Sequence, residues 1–495
     1  MTEDRNSYRN ITKSIGIFGG TKVFQILVGL IKNKIVAVLL GPVGMGIQGM
    51  LTSTTQLVSS FTGMGLHTSA VRDVAQAYNC KDQDRVNTTV SILRRLVIIT
   101  GLIGTLLVFL FARTLSIWSF GNEEYTLAFR LISIILFFDQ IVVGQTVLMQ
   151  GTFHYKYMAA SSLWGSLAGL IVCVPLYYLW GVKAIVPVII ITSLCNLVIA
   201  SYYAKKVPYH RKNLTWKAIW TGGKVMITLG ISIALVCVLD TGRTYIIRAY
   251  LSSAGTLEAV GLYTAGATIV TQYINVVFQS MGSDYTPRLA AAATDKDMFV
   301  EVMNRQAYLL ITIVSPLIIL FVIFSREIIL LLYTDTFLPI IGMVEWMMIG
   351  MLFRSLSWAM SFAFTAKGDS RLFFINELLS KIYSIPLLIF GYKYYGYVGM
   401  GIGFCITYVI YTIQEYLMTR KIFQFRFNNV VIRKCFPMMG ICFVFSIVLI
   451  TINGGIYRYL IGLVFFVIIS VISYRWMDEM IDIKGTLTAL MKRLR

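Results

Sequence analysis

Long apolar segments fill most of this 495-residue chain and limit what it can fold into. Hydrophobic residues make up 57% of the chain and charged residues only 13%, against about 25% charged residues in soluble domains. The mean hydropathy is +0.74. A helix needs roughly 20 apolar residues to cross a bilayer, and backbone polar groups must be satisfied inside lipid. The sequence therefore predicts an all-α polytopic membrane protein.

The apolar segments predict fourteen membrane-spanning helices. Six lie near residues 14–40, 44–77, 90–112, 126–148, 157–179 and 181–204, six near 219–251, 258–292, 305–325, 338–365, 372–391 and 397–419, and two near 435–453 and 456–476. Lys and Arg collect in alternate loops and in the tail 484–495. Since basic loops stay in the cytoplasm, both termini are predicted to lie inside, an N-in/C-in topology.

The sequence also contains an internal duplication. The stretch Phe111–Phe120 returns as Phe324–Tyr333, and Gly44 matches Gly261 at an offset of 217. Three domains follow: 1–217, an N-lobe with spans 1–6; 218–434, a C-lobe with spans 7–12; and 435–495, with the last two spans and a basic cytoplasmic tail. Because each lobe has six spans, the repeats are expected to be parallel, with the substrate path in the cleft between them.

Composition and motifs argue against several classes of protein. The net charge of +20 follows membrane topology, which argues against a nucleic-acid partner. The seven cysteines form no CxxC pair, so we expect neither a disulfide nor a metal site. Asp82–Asp84 and Asp295–Asp297 match the DxD of metal-dependent glycosyltransferases, but both lie in short loops. Hydrolase and Walker motifs are missing from the sequence, so it predicts no enzyme and no cofactor.

Five stretches carry a resemblance to a known family: Lys34–Gly46, Gln56–Leu66, Phe120–Tyr125, Leu257–Thr264 and Pro287–Leu289. Together they resemble the polysaccharide transporters of the multidrug/oligosaccharidyl-lipid/polysaccharide flippase superfamily. The third stretch is similar to the corresponding loop of enterobacterial-common-antigen and O-antigen translocases. The likeness covers at least spans 1–4 and 7–10, and a count of fourteen spans fits the same family.

The resemblance implies a flippase in the bacterial inner membrane. Its cargo would be undecaprenyl-pyrophosphate-linked oligosaccharide, an O-antigen or related surface polysaccharide repeat unit such as those of lipopolysaccharide. Alternating access would carry it from the cytoplasmic to the outer leaflet before polymerisation. The implied partners are this lipid, membrane lipids, polysaccharide polymerase and assembly proteins, and a coupling proton or sodium ion. Two alternatives are a multidrug or cation antiporter of the same superfamily and a membrane enzyme of polysaccharide assembly, a polymerase or ligase.

Basic residues inside the spans favour an anionic cargo, because a cavity lined by cations lowers the barrier to moving a pyrophosphate through lipid. The candidates are Lys22, Lys32, Lys34, Arg243, Arg248, Arg130 and Arg354. Subtracting 217 carries Arg248 to position 31, beside Lys32, so the two repeats could present a near-symmetric cationic pair to one pyrophosphate. The alternative is that Lys32, Lys34 and Arg248 reach phospholipid headgroups at the ends of their spans. Lys32 and Lys34 differ by roughly 200° around a helix, so only one can face a cavity squarely.

Three intramembrane acids are candidates for ion coupling: Asp240, Asp139 and Glu345. Asp240 and Arg243 are three residues apart and can form a structural pair, which is as good an interpretation as a proton or cation site. Glu377 and Lys381 are four apart and predict an ion pair on one helix. The sequence predicts that Glu345 and Arg354 do not pair with each other, because nine residues place them half a revolution out of phase.

Overall fold

The computed structural model describes residues 2–80, 82–452 and 455–481, and for 2–19, 22, 23, 225, 273, 283, 370, 480 and 481 it describes the backbone only. Every regular element within these ranges is a helix. Ten segments of this described part are long and apolar enough to cross a membrane. The predicted all-α polytopic membrane fold is confirmed. The count of fourteen crossings and the N-in/C-in topology stay predictions.

The chain divides into two compact units, of which the first comprises Met1–Thr264 and Leu332–Thr336. Its helices are α1 Thr2–Thr62, α2 Leu66–Asn79, α3 Gln83–Leu110, α4 Ala112–Phe120, α5 Thr126–Gly151, α6 Tyr155–Trp180, α7 Ile185–Ala204 and α8 Trp216–Ala254, and α9 Leu257–Ala291 begins here. Helix α3 packs along α5, α6 along α7, and α1 along α6 and α8. Small apolar residues of α2, α3 and α5, such as Ala70, Val90 and Val147, form a buried core at one end.

The second unit comprises Ala265–Leu331 and Phe337–Arg495. Its further helices are α10 Lys296–Ile323, α11 Ser325–Leu332, α12 Ile341–Ala366, α13 Ser370–Phe423, α14 Phe436–Thr451 and α15 Ile456–Ile481. Helix α12 packs along α13 and α10, and α10 also contacts α15. These units follow packing, whereas the predicted lobes follow the sequence repeat, so the three-domain division stays a prediction.

Two long helices are broken by a single glycine. Gly41 in α1 has φ 62° and ψ −170°, and Gly396 in α13 has φ 59° and ψ −141°. Positive φ of this kind is open to glycine but strained for residues with a Cβ. Pro42 follows the first break, where its missing N–H and fixed φ suit the first turn of a helix. Each break therefore joins two apolar helical arms with almost no loop.

The sequence duplication recurs in local structure. Gly181 has φ 54° and ψ −133°, close to the values at Gly396. The first aspartate of each DxD caps a helix: Asp82 accepts from the amides of residues 84 and 85, and Asp295 accepts from those of residues 297 and 298. Side-chain acceptors of this type satisfy the unpaired N–H groups at a helix N-terminus. Both DxD motifs thus have a helix-capping role.

The two copies of the duplicated stretch, Phe111–Phe120 and Phe324–Tyr333, each contain a short helix, α4 and α11 respectively. Trp118 of α4 is exposed, whereas Tyr333 after α11 is buried. Arg113 donates to Glu123 at 2.6 Å. This hydrogen bond, followed by the carboxylate charge, raises the pKa of Arg113, so the exposed guanidinium stays charged.

Candidate functional site

Arg248 is the best-defined cation among the predicted site residues of the first unit. It lies near the end of α8, is half-buried, and donates through Nη1 to the carbonyl oxygen of Gly49 at 2.8 Å. Its Nε atom is buried without a hydrogen-bond partner among the described side chains. One edge of the guanidinium is therefore anchored to α1, and another N–H has hydrogen-bonding capacity left for a ligand.

Glycines create the close packing around Arg248. A Cβ on Gly46 would overlap the carbonyl oxygen of Leu257, and one on Gly261 would overlap the carbonyl oxygen of Pro42. Small residues let helix backbones approach closely inside a membrane. The second arm of α1 therefore lies directly against the first turns of α9, beside the carbonyl group that receives Arg248.

The lysines of α1 point to different neighbours. Lys34 donates to the carbonyl oxygen of Tyr333, and Lys32 lies within electrostatic range of the Cys173 thiol on α6. Their different neighbours agree with the angle of roughly 200° expected between Lys32 and Lys34 around the helix axis. The side chain of Lys22 lies outside the described residues.

Arg243 and Asp240 lie one turn apart on α8 but form no ion pair with each other in the described part of the chain. Arg243 is half-buried, and its Nε atom has no hydrogen-bond partner among the residues that the structure describes. Asp240 is exposed. The structural pair considered from the sequence is therefore not formed, and Arg243 joins Arg248 as a second cation on α8 for which the described residues supply no acidic partner.

The two candidates on α5 contact different neighbouring helices. Arg130 is exposed, and its guanidinium carbon lies 6.0 Å from the ring centroid of Phe109 on α3. Asp139 accepts a hydrogen bond of 2.6 Å from Ser193 on α7. The structure therefore gives Asp139 a neutral partner and leaves Arg130 at the periphery of the unit.

The candidates of the second unit are held by specific partners. Glu345 is 2% exposed, accepts from Ser325 at 2.6 Å, and forms an ion pair with Arg458 of α15. Arg354 lies between two aromatic rings, 5.2 Å from the centroid of Phe278 and 5.6 Å from that of Tyr408. As the helical phase predicts, Glu345 and Arg354 do not pair with each other.

A buried acidic cluster joins the two arms of α13. The predicted pair between Lys381 and Glu377 is present at 2.7 Å, and Tyr411 donates to Glu377 at 2.9 Å. Glu415 is fully buried and accepts from Asn376 at 2.6 Å. Sequence reasoning missed Glu415, although a lone carboxylate inside the apolar segment 397–419 is itself a signal of function or pairing.

Comparisons with known proteins agree on one family and one fold. The model of a family described as polysaccharide biosynthesis protein matches residues 35–342. The lipid III flippase of Escherichia coli (strain K12) is 22% identical over 396 residues, covering 78% of this chain and 92% of that protein.

Two solved structures share the fold. An inward-facing multidrug resistance MATE family transporter of the MOP superfamily has a TM-score of 0.69 at 14% identity, over 81% of this chain and 94% of its own. The lipid II flippase MurJ in an inward-closed conformation has a TM-score of 0.68 at 13% identity, over 93% of this chain and 98% of its own.

Proposed function

We propose that this chain, which belongs to the polysaccharide biosynthesis protein family, is a flippase for lipid-linked oligosaccharides and not an enzyme. Family membership confirms the resemblance carried by the sequence motifs. The likeness to a lipid III flippase over 92% of that protein's length supports the assignment. The proposed cargo is undecaprenyl-pyrophosphate-linked oligosaccharide, an O-antigen or related repeat unit. It would move from the cytoplasmic to the outer leaflet of the bacterial inner membrane by alternating access.

Arg248 is the observation that carries this proposal. Such a cargo brings a pyrophosphate into a medium of low dielectric, so its path needs cations that are held in place but not neutralised by carboxylates. Arg248 meets both conditions, because a backbone carbonyl anchors it and its Nε remains unpaired in the described structure. Charge-assisted bonds from guanidinium to phosphate are stronger than those between neutral groups. We assign Arg248 to the pyrophosphate, with Arg243, Lys32 and Lys34 supplying further positive potential.

A cation antiporter is the second candidate function, and the buried acids of the second unit favour it. Glu377 and Glu415 lie in one cluster, in which Lys381 pairs with Glu377 and is the one basic residue among those described. A cluster with two carboxylates and one cation can bind a proton or a metal cation. In the flippase the same cluster would serve ion coupling, in addition to the candidates Asp240, Asp139 and Glu345. The cargo assay therefore decides between the two functions.

The test uses proteoliposomes that contain a fluorescent undecaprenyl-pyrophosphate oligosaccharide. Wild type, Arg248→Ala, Arg248→Lys and the control Arg130→Ala are compared for the fraction of glycan that reaches the opposite leaflet, with and without a proton or sodium gradient. We expect transfer by wild type and the Arg130 control, loss in Arg248→Ala, and partial transfer in Arg248→Lys, which keeps the charge but not the fork of donors.

Two other outcomes have distinct meanings. If Arg248→Ala still transfers the glycan, the flippase function is retained and Arg248 is not part of the substrate site. If wild type transfers no glycan but expels a cationic dye along an ion gradient, the antiporter replaces the flippase.

A further inference from the structure

A second cationic site lies in the first unit, away from Arg248. It is a cavity of about 380 Å³ between α3, α5, α7 and the segment 205–215. One wall carries aliphatic side chains such as Val97 and Leu197, and the other carries four cations, Arg94, Arg95, Arg211 and Lys212. This volume falls within the range of small-ligand pockets. We call it the basic cavity.

Hydrogen bonds to α3 hold one wall of the basic cavity in place. The amide of His210 donates to Asn87 at 2.8 Å, and the amide of Lys212 donates to Ser91 at 3.0 Å. Asn87 and Ser91 are buried one turn apart on α3, so the non-helical segment is fixed at two successive turns. Tyr209 adds a ring contact with Arg94, whose guanidinium carbon lies 5.3 Å from its centroid.

Acids in the described part of the chain balance the charge of the basic cavity only in part. Four of its lining residues are cations and none is an acid. Lys212 forms an ion pair with Asp84 outside the lining. Arg95 is half-buried, and neither it nor Arg211 forms an ion pair or side-chain hydrogen bond in the described part of the chain. Like charges this close repel each other, so an anion bound among them lowers the free energy of the site.

The walls also restrict the chemistry of the ligand. Cations at one side and aliphatic side chains at the other match a phosphate group joined to an apolar chain, as in a membrane lipid. Arg94 and Arg95 lie in the N-terminal half of α3, and Arg211 and Lys212 lie in the segment 205–215. The positive-inside rule predicts that this end of the unit is at the cytoplasmic face, where anionic lipids attract basic residues. Guanidinium groups suit phosphate because they offer several fixed N–H donors.

We propose that the basic cavity binds the phosphate group of an anionic membrane phospholipid at the cytoplasmic face. This site is separate from the proposed pyrophosphate site at Arg248 and does not depend on the flippase function. Bound lipid would link α3, α5 and α7 to the segment 205–215. Membrane composition would thereby affect the stability of this end of the first unit.

The test measures lipid binding by the full-length protein and needs no transport assay. Purified protein is titrated with phosphatidylglycerol or phosphatidylcholine in mixed micelles, and bound lipid is counted by native mass spectrometry. Arg95→Gln/Arg211→Gln is compared with the control Arg113→Gln/Arg130→Gln, which removes the same charge from two exposed positions outside the cavity lining. We expect the first variant alone to weaken phosphatidylglycerol binding about 30-fold, equivalent to about 2 kcal/mol for two basic residues.

A competition arm separates the sources of phosphate. Inorganic phosphate that displaces phosphatidylglycerol only at concentrations far above the lipid supports a lipid site. Inorganic phosphate that binds as tightly as the lipid would overturn the lipid assignment and leave a free-phosphate site. Equal binding of both lipids, or equal losses in the two double variants, would overturn the basic cavity as an anion site. Thermal unfolding of each variant without lipid shows whether lost binding reflects lost folding.

Discussion

Arg458 provides the sharpest test of how charges are held inside the second unit. Its guanidinium lies against Glu345 and also donates to the carbonyl oxygen of Val322 at 2.6 Å and to Ser325 at 3.2 Å. The side chain of Glu345 is only 3% exposed and that of Arg458 14%. Arg458→Met would leave the carboxylate buried, with Ser325 as the one donor remaining among the described residues.

Breaking a buried pair by removing one partner costs about 3–5 kcal/mol, because the other charge stays uncompensated. We therefore expect Arg458→Met to lower the free energy of unfolding by about that amount. The double variant Arg458→Met/Glu345→Gln removes both charges. Its loss should be clearly smaller than that of the arginine variant alone, since no uncompensated charge remains in it.

The assay is equilibrium unfolding in detergent micelles, followed by circular dichroism. Arg326→Met is the matched control, because Arg326 is an exposed arginine in α11 and such substitutions usually change stability by less than about 0.5 kcal/mol. If Arg458→Met is as stable as that control, or if the double variant is no more stable than the single one, the reasoning about the pair fails. Glu345→Gln in the transport assay then tests separately whether Glu345 couples an ion.

Three further predictions concern single contacts. Gly46→Val should lower the free energy of unfolding by about 1–3 kcal/mol, because its side chain would overlap a backbone carbonyl of α9. Gly20→Val, whose Cβ meets no atom within 4 Å, should leave it unchanged, and thermal unfolding of both variants tests this. Asn376→Ala should cost about 1–3 kcal/mol, since it withdraws a donor from the buried Glu415, and an unchanged unfolding midpoint would contradict this role. Glu123→Gln removes an exposed ion pair, so its melting temperature should match wild type at low and high salt.

Sequence patterns were informative about elements and local pairs. Apolar length located the helices, and the spacing of Glu377 and Lys381 predicted their ion pair, because both inferences depend on near neighbours in the chain. The partner of Glu345 could not be predicted in this way, since Arg458 is 113 residues away and only helix packing brings it close.

Contacts between distant parts of the chain also decide which basic residues lie together. In the sequence, Arg94 and Arg95 are part of the alternating basic pattern that indicates topology, whereas the fold places them with Arg211 around one cavity. Their separation in sequence hides this, because α5 and α7 supply the rest of the wall. The proposed role of Arg248 has a similar basis: its position on α8 is visible in the sequence, but its anchor at Gly49 is not.

The single-glycine breaks at Gly41 and Gly396 have a practical consequence for mapping the sidedness of this protein. An epitope tag or protease site placed at either break would interrupt a junction that has almost no loop. At Gly396 it would also force apart arms that touch, since a Cβ on Gly399 would already overlap the carbonyl oxygen of Gly391. The non-helical segment 121–125, which is mostly exposed, can accept such an insertion with less disturbance. A reporter there would reveal which face of the membrane this segment occupies while leaving both junctions intact.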